Sequence, residues 1–231
     1  MKAPDFLIAG GQKTASTWLA QNLRRHPQIF MPEREILYFD NKTNYAKGYD
    51  WYLSHFADAP DQALIGEKSP GYLTIVQDDG SEKPTVERIY GMNPEIKLLF
   101  LLRNPVDRVM SALLHHMWLG RIPPSRDLQE VLFGRFAKAS RDWRVMSLSF
   151  YGRNLERYLD RFGPGQIRVW IFESDVRRRP VETLKEAALF IGADPSLVPA
   201  PSGRKNINVR SCTLLRANRT LPALAPLWKA L

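Results

Sequence analysis

Asp5-Phe6-Leu7-Ile8-Ala9-Gly10-Gly11-Gln12-Lys13-Thr14-Ala15-Ser16-Thr17-Trp18-Leu19 is the stretch on which the fold turns. Its first residues are mostly apolar and read as a short buried strand. The Gly10-Gly11 pair breaks that run, and from Ser16 the spacing of Trp18, Leu19 and Leu23 becomes helical. A strand, a tight basic loop and a helix N-terminus together make an anion seat. Amides left unpaired in a first helical turn point outward, and the helix dipole favours negative charge beside them. Lys13 adds a cation, and Ser16 and Thr17 add hydroxyl donors. Phosphate fits this geometry.

The P-loop pattern G-x-x-x-x-G-K-[ST] requires glycines six and one residues before the lysine. Leu7 and Gln12 hold those positions here. Working outward, a helix from Ser16 is expected to end near His26-Pro27, because the residue before a proline leaves the helical region. Pro32-Glu33-Arg34-Glu35-Ile36-Leu37-Tyr38-Phe39-Asp40 follows, and either Glu33 or Glu35 has the chemistry of a general base. Aromatics at helical spacing over 49–56 read as core. Leu64-Ile65-Gly66-Glu67-Lys68-Ser69-Pro70-Gly71 repeats the opening theme, an apolar strand delivering charge into a turn.

A helix is expected over 84–92, then Lys97-Leu98-Leu99-Phe100-Leu101-Leu102, apolar on both faces as a central parallel strand should be. That strand delivers Arg103 to its tip and leads into a helix near Pro105 that carries Ser111 about two turns in. Helical patterning runs over 128–162 with a break around 140–147. Ile167-Arg168-Val169-Trp170-Ile171-Phe172 reads as a strand and 180–191 as a helix. The alternation predicts one α/β domain over 1–231, with a P-loop-like parallel sheet of about four or five strands flanked by helices. Its end, proline-rich and basic over 195–210 and then patterned as one or two short helices over 214–231, reads across 195–231 as a lid or a docking tail.

Length and composition narrow the function. The 231 residues, 44% hydrophobic and 11% aromatic, suffice for one sizeable core. Lysine and arginine number 33 against 24 acids, a net charge of +9, which favours an anionic partner without choosing one. Cys212 stands alone, so no intrachain disulfide forms, and no Cys/His cluster has zinc spacing. With no signal-like segment and no bilayer-length apolar run, a soluble, cytoplasmic protein is expected. Neither a nucleic acid partner nor a membrane span is expected, and oligomeric state is not legible.

Three separated pieces agree: the Lys13 loop, Glu67-Lys68-Ser69-Pro70, and Arg103-Asn104-Pro105-Val106-Asp107-Arg108-Val109-Met110-Ser111. Together they resemble the sulfotransferases that use 3′-phosphoadenosine 5′-phosphosulfate (PAPS), most of all those of the heparan sulfate or glycosaminoglycan type. The resemblance covers about 5–192. It implies that Gln12, Lys13, Thr14, Ala15, Ser16 and Thr17 cradle the 5′-phosphosulfate, with Lys13 at the bridging oxygen. It implies that Arg103 and Ser111 bind the donor's 3′-phosphate, that Tyr151 lies near the nucleotide, and that Arg204 belongs to the C-terminal nucleotide loop. Glu35 matches the catalytic base and Lys68 a second lysine near the sulfonate. Ala15 departs from the family pattern, which usually has glycine there.

The resemblance thus implies sulfonate transfer from PAPS to a hydroxyl or amine of a saccharide or small molecule, with adenosine 3′,5′-bisphosphate as product and no metal. Blander readings stand beside it. Glu35 pairs with Arg34 or Lys42, Lys68 pairs with Glu67, Arg108 is structural or touches phosphate, and His115 and His116 have a surface or acceptor-site role. Two other functions compete, a P-loop kinase-like phosphotransferase and a non-catalytic polyanion- or nucleotide-binding protein.

Overall fold

The computed structural model describes residues 2–73, 85–125 and 127–202. They fall into two compact units. One joins residues up to Asn104 with those from Tyr151 onward, and the other is Pro105–Phe150.

The first unit is built on five strands, β1 (Phe6–Gly10), β2 (Ile29–Phe30), β3 (Leu64–Lys68), β4 (Lys97–Leu102) and β5 (Ile167–Ile171). They form one sheet in the order β2-β3-β1-β4-β5, and every pairing is parallel. Four of the five follow the runs expected from sequence, and the fifth is the short Ile29-Phe30 piece. β1, fully buried along its length, lies between β3 and β4, as an all-apolar strand must when helices cover both faces of a sheet. Because all strands run the same way, the tips of β1, β3 and β4 deliver Gly11, Lys68 and Arg103 to one edge. In open α/β sheets that edge is where ligands sit.

Helices of this unit are α1 (Ser16–Leu23), α2 (Lys42–Tyr45), α3 (Tyr49–Ser54) and α4 (Thr85–Met92) before the second unit. α1 stops at Leu23, before the expected His26, and its last amides tighten into a turn in which His26 N–H donates to Leu23 O at 3.0 Å.

In chain order the second unit then contributes α5 (Pro105–Trp118), α6 (Leu128–Leu132) and α7 (Ala137–Asp142). α8 (Tyr151–Arg161) and α9 (Pro180–Ile191) complete the first unit.

Strand alternation assigns the helices to faces. Leu99 and Leu101 enter the cluster formed with Trp18, Leu19 and Leu23 of α1 and Leu184, Ala187 and Ile191 of α9. Phe100, between them, points the other way and packs edge-on against Tyr158 of α8, centroids 5.1 Å apart. Phe6 lies directly across from Gly66, where a Cβ would land on its ring. Glycine at this register is therefore a packing requirement.

The second unit has its own small core of Ala112, Leu113, Ile122, Val131 and Val145. His116 is buried within this unit and stacks on Trp143 at 5.2 Å, while Arg121 lies 4.1 Å from the same indole. Of the surface or acceptor-site role expected for His116, burial overturns the surface placement: its ring is stacked inside this unit. Arg108 is wholly buried, donating to Val145 O and Ser149 Oγ, so the structural reading of this residue holds.

Residues 194–202 run along the end of α1. Asn22 Nδ2 donates to Ser202 O at 3.1 Å, Arg25 donates to Ala200 O at 2.8 Å, and His26 meets Asp194 O at 2.8 Å. This first part of the expected tail is docked; Arg204 and the rest of 203–231 lie outside the described residues.

Candidate active site

The loop after β1 is closed on its own polar atoms. Gly11 N–H donates to Leu101 O at 2.9 Å and to Thr14 Oγ1 at 3.0 Å. Thr14 Oγ1 donates to Gly11 O at 2.7 Å, and Ser16 Oγ joins the same carbonyl at 3.3 Å. Thr14 is entirely buried, so its hydroxyl shapes the loop from within. Two turns of the backbone into left-handed conformation, at Lys13 (φ 66°) and Ala15 (φ 77°), then present α1. Ala15 is the N-cap of α1, no side chain caps the helix, and its first turn carries no acid. Uncapped amides and an absent carboxylate leave the positive end of the dipole available to an anion.

Lys68 joins three parts of the chain. From the tip of β3, its Nζ donates to Thr17 Oγ1 in the first turn of α1 at 3.0 Å and forms an ion pair with Glu35 Oε1. The Lys68 side chain is 12% exposed and that of Glu35 37%, so the pair opens to solvent from the carboxylate side. Lys68 does not pair with Glu67, and Glu35 takes Lys68 in place of Arg34 or Lys42. Glu33 is exposed, and its neighbour across the turn is Arg24, which donates to Met31 O and Pro32 O.

Beneath Lys68 the neighbouring acid is sealed in. Glu67 is 1% exposed. Its carboxylate accepts the hydroxyls of Tyr72 at 2.7 Å, Tyr52 at 3.0 Å and Ser69 at 3.5 Å. Burial, with a smaller push from Asp40, raises its carboxyl to about 7 against the pull of those hydroxyls. Burial likewise raises the phenols of Tyr52 and Tyr72, with Glu67 adding to it.

Arg103, at the tip of β4, is three-quarters buried. Its Nε lies 3.9 Å from Glu173 Oε1 and makes no hydrogen bond, while its guanidinium sits 5.2 Å from the Phe172 ring. Glu173 also accepts Asn104 N–H at 3.2 Å. A cation held only at ion-pair distance retains donors for an incoming anion. Gln12 Oε1 is buried without a hydrogen-bond partner among the described residues. Tyr151 opens α8, half-buried, and Ser111 is buried on α5 in the second unit.

Sequence reading therefore brings Lys13, Ser16, Thr17, Glu35, Lys68 and Arg103 into the first unit at or beside one sheet edge. It missed Glu173, Tyr52 and Tyr72. Of these, only Tyr72 carried a sequence signal, lying five residues after Glu67 in the turn that follows β3.

The sulfotransferase domain family matches residues 3–220. The chain belongs to that family. Relatives of this sulfotransferase-family chain include heparan sulfate glucosamine 3-O-sulfotransferase 5 of Mus musculus, 30% identical over 203 residues, covering 84% of this chain and 55% of that protein. The bifunctional heparan sulfate N-deacetylase/N-sulfotransferase 1 of Caenorhabditis briggsae is 29% identical over 204 residues, covering 81% of this chain and 22% of its own length. The chain thus spans about half of the first and under a quarter of the second. The crystal structure of a sulfotransferase from Alicyclobacillus acidocaldarius superposes with a TM-score of 0.73 at 25% identity, covering 97% of this chain and 95% of that one. The expected sulfotransferase family and the α/β fold are both borne out, and the likeness to heparan sulfate sulfotransferases is met by relatives of that name. Among the described residues no helix is long and apolar enough to cross a membrane, and no group of three His, Cys, Asp or Glu could hold a metal ion.

Proposed function

We propose that this protein transfers the sulfonate of PAPS to a hydroxyl or amine of an acceptor. The observation that carries this reading is the meeting of Thr17, Lys68 and Glu35 beside an uncapped helix terminus. An anion seat, a cation and a base stand together there. In-line transfer breaks the bond between sulfur and the bridging oxygen of the phosphosulfate and forms a bond from the acceptor oxygen or nitrogen to sulfur. The electron pair stays on the leaving phosphate, and the acceptor's proton must go to a base.

Glu35 is the residue for that proton, being the carboxylate at the open side of the cluster. Lys68 and Lys13 supply positive charge where it builds on the leaving phosphate, and the first-turn amides of α1 add preorganised dipoles. Arg103 suits the second phosphate of a doubly phosphorylated adenosine, since its guanidinium keeps donors for a fork-like contact. The named activities of the relatives favour a saccharide acceptor of the heparan sulfate kind.

A thermal-shift comparison of adenosine 3′,5′-bisphosphate with AMP and ATP tests this. A ligand bound only by the folded state at about 100 times its dissociation constant stabilises by about 2.7 kcal/mol. The bisphosphate should raise the melting temperature well above AMP. Equal shifts for all three, or magnesium-dependent ATP turnover, would point to the nucleotide-binding or kinase-like alternatives.

A further inference from the structure

Glu67 is a buried acid that the transfer step does not use, and its contacts lead to the segment bearing Glu35. Residues 36–39 belong to no helix or strand, so their amides need partners from elsewhere. Two hydroxyls supply them. Tyr72 OH accepts the N–H of Tyr38 at 3.0 Å and of Phe39 at 3.4 Å, and Ser69 Oγ accepts the N–H of Leu37 at 3.2 Å.

A hydroxyl has one proton and two lone pairs. Both of these hydroxyls commit their proton to Glu67, which leaves their lone pairs turned toward the three amides. Tyr52, the third donor to Glu67, stacks under Tyr38 with centroids 4.5 Å apart. The carbonyls of the same segment are held as well, since Asn44 Nδ2 donates to Ile36 O at 3.0 Å and to Leu37 O at 3.3 Å. Leu37 adopts φ 53°, a conformation a leucine keeps only when its surroundings hold it.

We propose that Glu67 is a positioning residue for Glu35. By orienting the hydroxyls of Tyr72 and Ser69, its carboxylate fixes the backbone of residues 37–39 and so aims the carboxylate two positions upstream at Lys68. This rests on the reading of Glu35 as the base.

The test uses Tyr72→Phe, Ser69→Ala and Glu35→Gln with three measurements. Amide exchange of residues 36–39 is followed by mass spectrometry, affinity for adenosine 3′,5′-bisphosphate by calorimetry, and turnover with PAPS and N-desulfated heparan sulfate. Tyr72→Phe should speed exchange in 36–39 by about tenfold or more, since it strips two amides of their acceptor. Bisphosphate affinity should stay within about twofold and kcat should fall about tenfold to a hundredfold, the effect of a misplaced reacting group. In a Glu35→Gln background the same change should cost nothing further, because it acts through Glu35.

Unchanged exchange overturns the proposal, as does a kcat loss that adds in full to that of Glu35→Gln. Normal turnover in Glu35→Gln removes the base assignment itself, a different result from a slow Glu35→Gln with an unaffected Tyr72→Phe, which removes only the positioning. If Tyr72→Phe does not fold, Ser69→Ala, which deletes the single acceptor of Leu37, decides by the same measurements. If heparan sulfate is not turned over by the unaltered protein, the exchange and affinity measurements decide alone.

Discussion

Glu67 makes stability depend on pH in a way that a single substitution isolates. In the folded protein its carboxyl is raised from an ordinary 4.5 to about 7, chiefly by burial. Between those values the folded state holds a proton that the unfolded chain has released, so stability falls as pH rises through that window. At ~1.36 kcal/mol per pH unit, keeping Glu67 ionised inside the fold costs about 3 kcal/mol once the pH is above 7. Glu67→Gln replaces the acid by a neutral group of the same shape. The variant should match the parent near pH 4.5, overtake it steadily, and exceed it by about 3 kcal/mol at pH 8, most other titrations cancelling in the difference. Urea denaturation of both proteins at half-unit steps from pH 4.5 to 8.5 measures this directly. A difference flat to within about 1 kcal/mol across the series would refute a desolvated, titrating Glu67.

Three further outcomes follow from the site and the sheet. Glu35→Gln should reduce kcat by about a hundredfold to ten-thousandfold, yet cost no more than about 1 kcal/mol of stability because its ion pair with Lys68 is partly solvated; paired kinetics and urea melts check both. Ala15→Gly should stabilise by up to about 1 kcal/mol in a thermal melt, since glycine relieves the left-handed N-cap at some cost in unfolded-state entropy. Gly66→Ala should destabilise by about 1–3 kcal/mol, because its methyl group meets the buried Phe6 ring across the β1–β3 pair; the companion change Phe6→Leu should recover part of that loss in the same melt.

Much of the sheet was legible because apolar runs such as Leu98-Leu99-Phe100-Leu101 have few other places to go than a doubly covered strand. The convergence of Lys13, Lys68 and Arg103 was legible for a related reason: parallel strands send every carboxyl end to one edge, so charges at strand tips gather there. The partnership of Lys68 was not. A lysine next to a glutamate in sequence invites pairing, but strand geometry turns adjacent side chains to opposite faces, which buries Glu67 and leaves Lys68 to reach Glu35. The hydroxyls of Tyr72 and Ser69 were equally hidden, since their bonds to backbone amides span more than thirty residues of sequence and follow no period. The burial of His116 was not legible either, because a histidine stacked on a tryptophan 27 positions away has the same local sequence as an exposed one.

The order in which the sheet is threaded also matters while the chain is being made. β4 finds its outer neighbour only when Ile167 arrives to pair with Leu98, 69 residues later. At a synthesis rate of about 5–20 residues per second, one flank of this apolar strand waits roughly 3–14 seconds for its cover. During that interval the nascent polypeptide displays open backbone groups along Leu98-Leu99-Phe100-Leu101, a template for adhesion to other chains. Yield in a cell should therefore respond to translation speed through 105–166 and to chaperone supply, even when the finished protein is stable.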